Sequence, residues 1–372
     1  LWLWGRPGWL EARSAPGGAS VPVLPPTLPA MDPALGGGQS ARLLSVAASR
    51  HAVFALNAKG SLLYAEVQQA QGGIELRSLK ELEGVKFKEV TTRFGQAFAV
   101  NEAGEVYAWG MKTGDPWQSR LVCSMGFGVV GTQPRPVPLP TFGPGGRQIL
   151  HVACGISHTL FLSEQGEVFG VGRNHLGELG LGPRRLGAQV LSPEKLAVTA
   201  PHAPACRIAA GVSHSLVLTA RGEVLGCGLA RHGALPHSAC AEGAQVLCAL
   251  ERCDLLDEHF VVNLATGLTI SFFVTDVGSV YFSGTSAWTL APFGRAGTTL
   301  TALATPTLIR ALRLIQDVSV SIEASGLRWE HALFRSHRGQ LFGWGHDGHG
   351  ELASGGGAPF CETVFALSVP PA

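Results

Sequence analysis

Residues 149–182 read ILHVACGISHTLFLSEQGEVFGVGRNHLGELGLG, and residues 207–228 read RIAAGVSHSLVLTARGEVLGCG. The second stretch repeats the first in one register. The shared positions are Gly155, His158, Gly166, Val168 and Gly172 in the first copy and Gly211, His214, Gly222, Val224 and Gly228 in the second. Such an internal repeat decides the fold, because each copy is one structural unit that packs against the next.

A third copy, GLRWEHALFRSHRGQLFGWGHDGHGELASG, occupies residues 326–355 and carries His331, Gly339, Trp344 and Gly345 in the same register. Weaker copies lie at residues 49–65, 94–110 and 266–284, and Gln96 and Ile270 replace the histidine in the last two. The turn glycines are 44 to 62 residues apart along the chain, at positions 60, 104, 166, 222, 278 and 339. This period is typical of propeller blades.

Each copy has the pattern of a β-hairpin. In the copy at 149–182, residues 158–162 alternate, Gly166 centres a turn, and residues 168–170 form a second apolar run. Glycine supplies the positive φ that the turn requires, and small residues let neighbouring sheets approach each other. We expect the recurrent histidine to tie loops together by hydrogen bonds. The pattern predicts an all-β protein of antiparallel strands.

The repeat resembles the regulator of chromosome condensation repeat family, whose unit reads V-A-C-G-x-x-H-x-x-x-L, a turn glycine, and V-x-x-W-G-x-N-x-x-G-Q-L-G. Residues 152–180 match this unit almost completely. The resemblance is strong at 149–235 and 326–356 and looser at 43–66, 88–117 and 260–290. It implies a seven-bladed β-propeller of four-stranded antiparallel blades, which forms a single domain over residues 1–372.

Six blades are placed by the repeat. They lie around residues 43–66, 88–117, 149–182, 206–235, 260–290 and 315–356. Residues 1–29 resemble the second half of a seventh blade. We therefore expect this blade either to be split between the termini, its first half lying upstream of Leu1, or to be incomplete in an open ring.

The longest departures from the repeat are residues 111–146, 183–204, 230–258 and 290–314, which we interpret as loops between blades. Such loops usually carry the function of a rigid scaffold. Trp117 and Phe127 in the first loop, and Arg184 and Arg185 in the second, are the candidate partner contacts. The alternatives, an apolar loop packed on its own propeller and a solvated basic loop, stay open.

Composition excludes several function classes. Lys and Arg number 28 against 27 Asp and Glu, so no overall positive field favours nucleic acid. No apolar run approaches the roughly 20 residues that a membrane-spanning helix needs. The motifs G-x-x-x-x-G-K-[ST], G-x-S-x-G and H-E-x-x-H do not occur, so we predict no catalytic residues and no cofactor.

The cysteines and histidines at 231–259 do not have the spacing of a structural zinc site, and we predict no metal. His346 and His349 flank Asp347 in a stretch that the repeat places in a loop between strands. The eight cysteines include no C-x-x-C pair and favour reduced thiols in an intracellular compartment.

Two functions remain. The first is a non-enzymatic interaction subunit of a large multiprotein assembly, which the low charge and the degenerate blades favour. The second rests on the resemblance alone: guanine-nucleotide exchange on a Ran-type small GTPase. Arginine outnumbers lysine 22 to 6 and the first residue is Leu1, both of which fit a mitochondrial protein; a nuclear location is the alternative.

Overall fold

The structure is a computed structural model and describes residues 30–31, 43–49, 52–66, 75–93, 95–110, 125–126, 135–197, 203–230, 232–241, 244–284, 305–323, 329–346, 352 and 360–367. In these residues the chain forms six consecutive sheets, which we number blades 1 to 6 in chain order. Each blade is an antiparallel meander of four strands. The fold is an all-β propeller, as the repeat predicts.

The blades share one strand plan. The first strands are Leu43–Ala48, Phe87–Arg93, Ile149–Cys154, Ala205–Ala210, Val261–Thr266 and Ile315–Glu323. The second strands are Ala52–Asn57, Gln96–Asn101, His158–Ser163, His214–Thr219, Ile270–Thr275 and Trp329–Ser336. The third strands are Leu62–Glu66, Val106–Gly110, Val168–Asn174, Val224–Leu229, Val280–Gly284 and Leu341–His346.

The fourth strands are Glu75–Ser78, Val137–Pro138, Ala188–Lys195, Val246–Arg252, Thr307–Leu308 and Phe360–Ala366. Four of them lie inside the segments that the sequence analysis interprets as loops, so that interpretation is wrong for these stretches. Ala188–Lys195 shows why, because a single residue of its eight is fully buried. An outermost strand with so little buried surface leaves a weak hydrophobic pattern in the sequence.

Blade 1 differs from the expected four-stranded plan. A fifth strand, Ala30–Met31, pairs in parallel with Glu75–Ser78 and extends the outer edge of this blade. The short helices of the described chain are Ser238–Ala241 and the 3₁₀ turns Lys80–Leu82, Pro183–Arg185 and Asp254–Leu256. Six blades are described rather than seven, and the predicted half blade at 1–29 lies outside the described residues.

The hydrophobic core lies between blades. The second strands of blades 1 to 5 are buried at every position. In blades 2 to 5 each of them is covered by a neighbouring blade on both faces. The cluster between blades 2 and 3 illustrates the packing: the rings of Phe98 and Phe161 meet edge to face at 5.9 Å. Comparable clusters join each successive pair from blade 1 to blade 6.

Backbone hydrogen bonds also join the blades along the face that carries the hairpin turns. The carbonyl of each turn glycine in blades 1 to 5 accepts from the next blade, as Gly60 does from Phe87 N–H at 2.8 Å. In blades 2 to 6, the carbonyl of the residue before the first strand accepts a hydrogen bond from the hairpin turn of the same blade, as Lys86 does from Glu102 N–H at 3.0 Å. We call this continuous series of bonds the turn belt.

Candidate functional site

The recurrent histidines link blades. His158 and His214 each begin a second strand and are fully buried, at 0% and 2% exposure. Nε2 of His158 lies 3.0 Å from Oγ of Ser215 in the next blade, and Nε2 of His214 lies 3.1 Å from Oγ of Ser271. The sequence analysis expects these histidines to tie loops; the structure shows that they tie strands of neighbouring blades.

The hydrogen bonds of Ser215 fix the tautomer of His158. The Ser215 hydroxyl donates its one proton to the carbonyl of Glu178 at 2.6 Å, so it accepts from Nε2–H of His158. Burial lowers the pKa of His158 to about 3, and the neighbouring His214 and Arg93 act in the same direction. Burial and Arg93 likewise lower the pKa of His214 to about 4. Both imidazoles are therefore neutral at pH 7.

The repeat glycines lie where the histidines leave no space. A Cβ on Gly155 would lie 2.5 Å from Cε1 of His158, and Gly211 faces His214 in the same way. Gly172 and Gly228 pair with the same two histidines in the third strands. Gly166 and Gly222 are the turn glycines of the belt, with φ of 75° and 76°.

The third predicted copy has the same register. His331 pairs with Gly345, and Gly339 forms the turn with a φ of 77°. Trp344 is buried and packs edge to face on Phe272 of blade 5 at 5.9 Å.

Arg93 is an inner residue that the sequence analysis misses. It stands in blade 2 at the repeat position that Gly155 and Gly211 hold, and Gln96 replaces the histidine there. Its Nη1 donates to the carbonyl of Ala210 in blade 4 at 2.6 Å, across blade 3. Burial lowers its pKa. The sequence does carry a signal for this residue, because an arginine stands where blades 3 and 4 have the repeat glycine.

The loop at 174–187 presents two of the predicted contacts. Arg184 and Arg185 lie exposed in the 3₁₀ turn, and Nη2 of Arg185 pairs with Oε1 of Glu194 at 2.7 Å. Arg184 forms no ion pair with another described residue. Asn174 fixes the loop by two side-chain hydrogen bonds of 2.9 Å. Its Oδ1 accepts from Leu179 N–H, and its Nδ2 donates to the Arg185 carbonyl.

The remaining predictions fall in two groups. Trp117 and Phe127 lie outside the described residues. In the segment 231–259, Nε2 of His237 lies 3.6 Å from Oε2 of Glu251, and Cys253 is buried. Within the described ranges, no three His, Cys, Asp or Glu side chains are grouped to hold a metal ion. In the same ranges, no helix has the length and apolar character for crossing a bilayer.

We expect Ser215→Ala to lower the free energy of unfolding by about 1–3 kcal/mol. It leaves the buried Nε2–H of His158 unpaired, and the buried Glu178 carbonyl keeps only the weak S–H donor of Cys227 at 3.5 Å. The backbone accepts alanine, since Ala97 and Ala332 hold this repeat position in blades 2 and 6. Urea denaturation measures the loss. Ser271→Ala removes only the partner of His214 and serves as the control, so an equal loss in both variants contradicts the role of the Glu178 bond.

Comparison with known proteins identifies the repeat. The family described as "Regulator of chromosome condensation (RCC1) repeat" matches residues 149–178 and 205–234, and a second profile of that description matches residues 165–218. Residues 149–234 carry regulator of chromosome condensation repeats. The matched region covers blade 3 and most of blade 4, where the histidine pairs and their glycines lie.

Individual relatives of the repeat family match over longer stretches. The "Secretion-regulating guanine nucleotide exchange factor" of Bos taurus is 31% identical over 218 residues, 56% of this chain and 43% of that protein. "RCC1 domain-containing protein RUG3, mitochondrial" of Arabidopsis thaliana is 29% identical over 209 residues, 54% of this chain and 42% of that protein. The alignments thus span less than half the length of these two relatives.

A solved structure has the same fold. Prp20p from Saccharomyces cerevisiae, described with its binding properties to Gsp1p and histones, superposes with a TM-score of 0.69. The match covers 88% of this chain and 77% of that one at 19% sequence identity. At this identity the similarity establishes the propeller fold alone.

Proposed function

We propose that the chain is a non-enzymatic β-propeller subunit that holds other proteins in a large assembly. One observation carries the proposal: the polar side chains that recur between blades, such as His158, His214 and Ser215, are buried and bonded to the neighbouring blade. These recurring hydrogen bonds then stabilise the packing of one blade on the next. Contacts with other molecules are left to surface residues, which differ from blade to blade.

We propose the mitochondrion as its compartment. The Arabidopsis relative is named as a mitochondrial protein, and the excess of arginine over lysine in this chain agrees with such a location. A nuclear location is the alternative, and it is supported by the histone binding described for Prp20p.

Guanine-nucleotide exchange on a Ran-type small GTPase is the second candidate function. Two observations support it: the bovine relative is named as a guanine nucleotide exchange factor, and binding to Gsp1p is described for Prp20p. We assign no residue of this chain to an exchange role. The assembly proposal is therefore placed first.

We also propose that residues 1–29 contribute to a seventh blade. The support is the sequence of residues 1–5, in which Trp4 and Gly5 repeat the Trp-Gly pair that ends the third strands of blades 2 and 6. A seventh blade of this kind, completed from both ends of the chain, would close the sheet edges that a ring otherwise exposes.

The test separates a gentle native extract by size and identifies by mass spectrometry what migrates with the chain. We expect migration in a large complex with partners in fixed ratio. Migration as a lone particle near 38.9 kDa contradicts the assembly proposal. Release of labelled GDP from a Ran-type GTPase, measured with the purified chain, tests the second candidate separately.

A charge reversal refines this test at a predicted contact. We expect Arg184→Glu to lower partner recovery about fivefold, because an interfacial arginine replaced by a carboxylate repels an acidic partner. Lys80→Glu, on the exposed 3₁₀ turn of blade 1, is the control with the same change of charge. Equal recovery with both variants removes Arg184 from the interface.

A further inference from the structure

An exposed apolar strip lies on blades 5 and 6 of the turn belt. Its three members are Phe260, Val277 and Leu314, which are 50%, 69% and 55% exposed. Side chains of this size are usually covered when they lie together, so a contiguous exposed group marks a contact surface. The strip lies outside every residue that the sequence analysis proposes as a contact.

Hydrogen bonds of the belt join the backbone segments that carry the three residues of the strip. The Phe260 carbonyl accepts from Asp276 N–H at 3.0 Å, next to Val277. The Gly278 carbonyl accepts from Ile315 N–H at 3.0 Å, next to Leu314. The same turn glycine packs on Leu314, because a Cβ there would lie 2.6 Å from the Leu314 Cα. The three side chains therefore follow one another along adjacent backbone segments.

The strip is specific to this part of the belt. Before the first strands, where blades 5 and 6 have Phe260 and Leu314, blades 2 to 4 have Lys86, Gln148 and Pro204. Before the turn glycine, where blade 5 has Val277, the residues of the other blades are Lys59, Ala103, Gln165, Arg221 and Arg338. The belt thus has an apolar half, formed by Phe260, Val277 and Leu314 of blades 5 and 6, and a largely polar half in blades 1 to 4.

Positive charge surrounds the apolar half. Four exposed arginines form no ion pair with a described residue: Arg221, Arg310, Arg313 and Arg338. Arg221 adjoins the turn glycine on which the Phe260 ring packs, and Arg338 follows His337, whose N–H donates to the Leu314 carbonyl at 2.9 Å. The acidic groups beside the strip include Glu258 and Asp276, and also Glu223 and Asp257, which pair with Arg252. Oδ1 of Asp276 accepts from Val277 N–H.

We propose that this strip docks an acidic segment of a partner protein that inserts apolar side chains between the arginines. The partner class follows from complementarity: apolar area gains free energy when it is buried, and arginine is enriched at interfaces where it meets carboxylates. The proposal rests on the proposed function, because it names the face of the propeller and the chemistry of the partner that this face holds.

The test places the photo-cross-linker p-benzoyl-phenylalanine at position 277 of the full chain in native extract and sequences the cross-linked peptide. A net-negative peptide with apolar residues, from another protein, supports the proposal. The same cross-linker at Gln165 is the control, because this residue holds the same turn position in the polar half. Cross-links to a basic peptide, a lipid or a second copy of the chain, or no excess over the control, overturn it.

A matched pair of variants gives the second readout. Val277→Glu and Gln165→Glu each place a carboxylate before a turn glycine, and both side chains are exposed, so we expect neither to change the unfolding midpoint. Val277→Glu is expected to lower recovery of the cross-linked partner at least tenfold relative to Gln165→Glu. If the chain stays in a large complex and both variants recover this partner equally, the strip proposal fails and the proposed function stands. If the chain migrates alone, the proposed function fails, and the sequence of the cross-linked peptide still decides the strip.

Discussion

Replacing Gly228 with alanine is expected to lower the free energy of unfolding by about 4 kcal/mol. Gly228 has a φ of 107°, which L-residues rarely adopt. Its added Cβ would also lie 2.7 Å from the Cα of His214 and closer still to the carbonyl oxygen of Ser213. Both atoms belong to backbone, so neither can move aside without disturbing the second strand of blade 4. The two costs add at this position.

Gly182→Ala is the control for this effect. Gly182 has a φ of 85° and nothing within 4 Å of an added Cβ, so only the backbone conformation is penalised. We expect a loss of about 2 kcal/mol for this variant, because a φ of 85° with a ψ of 166° is a conformation that essentially only glycine adopts. Guanidinium denaturation followed by circular dichroism measures both. Equal losses for the two variants would show that contact with blade 4 backbone is not what requires glycine at 228.

Acid is expected to destabilise the protein through its two buried histidines. In the folded state the pKa values are about 3 for His158 and about 4 for His214, against about 6.5 in the unfolded chain. As the pH falls below 6.5, the unfolded state binds protons that the folded state does not, so stability decreases with falling pH. We expect a loss of about 5 kcal/mol between pH 6.5 and pH 4 from the pair.

The double variant His158→Gln/His214→Gln isolates this contribution. Glutamine is compatible with the site, because Gln96 holds the same buried position in blade 2. Carboxylates such as Glu167, whose pKa is lowered by hydrogen bonds from Lys195 and Arg147, also make stability fall with acid, but they do so in both proteins. The difference between the two pH profiles is therefore the readout. Parallel profiles from pH 6.5 to pH 4 would contradict the histidine mechanism.

The fold could be predicted from the sequence to the extent that the repeat is visible. The hairpin of the second and third strands has a turn glycine between two largely apolar runs, so its pattern is recognisable in every blade, although it is weaker in blades 1, 2 and 5. The fourth strands could not be predicted, because Val246–Arg252 and its equivalents are only partly buried and vary in sequence. Thr307–Leu308 is too short to leave a pattern at all.

The inner contacts were predicted in part. The histidines and glycines were singled out because they recur, but recurrence does not say which atoms they meet, and their partners Ser215 and Ser271 lie one blade away in space. The strip of Phe260, Val277 and Leu314 could not be recognised, since its members are 17 and 37 residues apart and come onto one arc only when blades 5 and 6 are adjacent. The contact of Arg93 with the Ala210 carbonyl of blade 4 could not be predicted either, because the two residues are 117 positions apart in the sequence.

The division of the turn belt into two unlike halves has a geometric consequence. A propeller made of similar blades has approximate rotational symmetry, so a partner that recognised the common repeat could dock in several orientations related by one blade. Because Phe260, Val277 and Leu314 occur on one arc of the belt, a partner that binds them meets the propeller at a single azimuth. The blade-to-blade differences would thereby fix the rotational orientation of a pseudo-symmetric propeller on a partner that binds this strip.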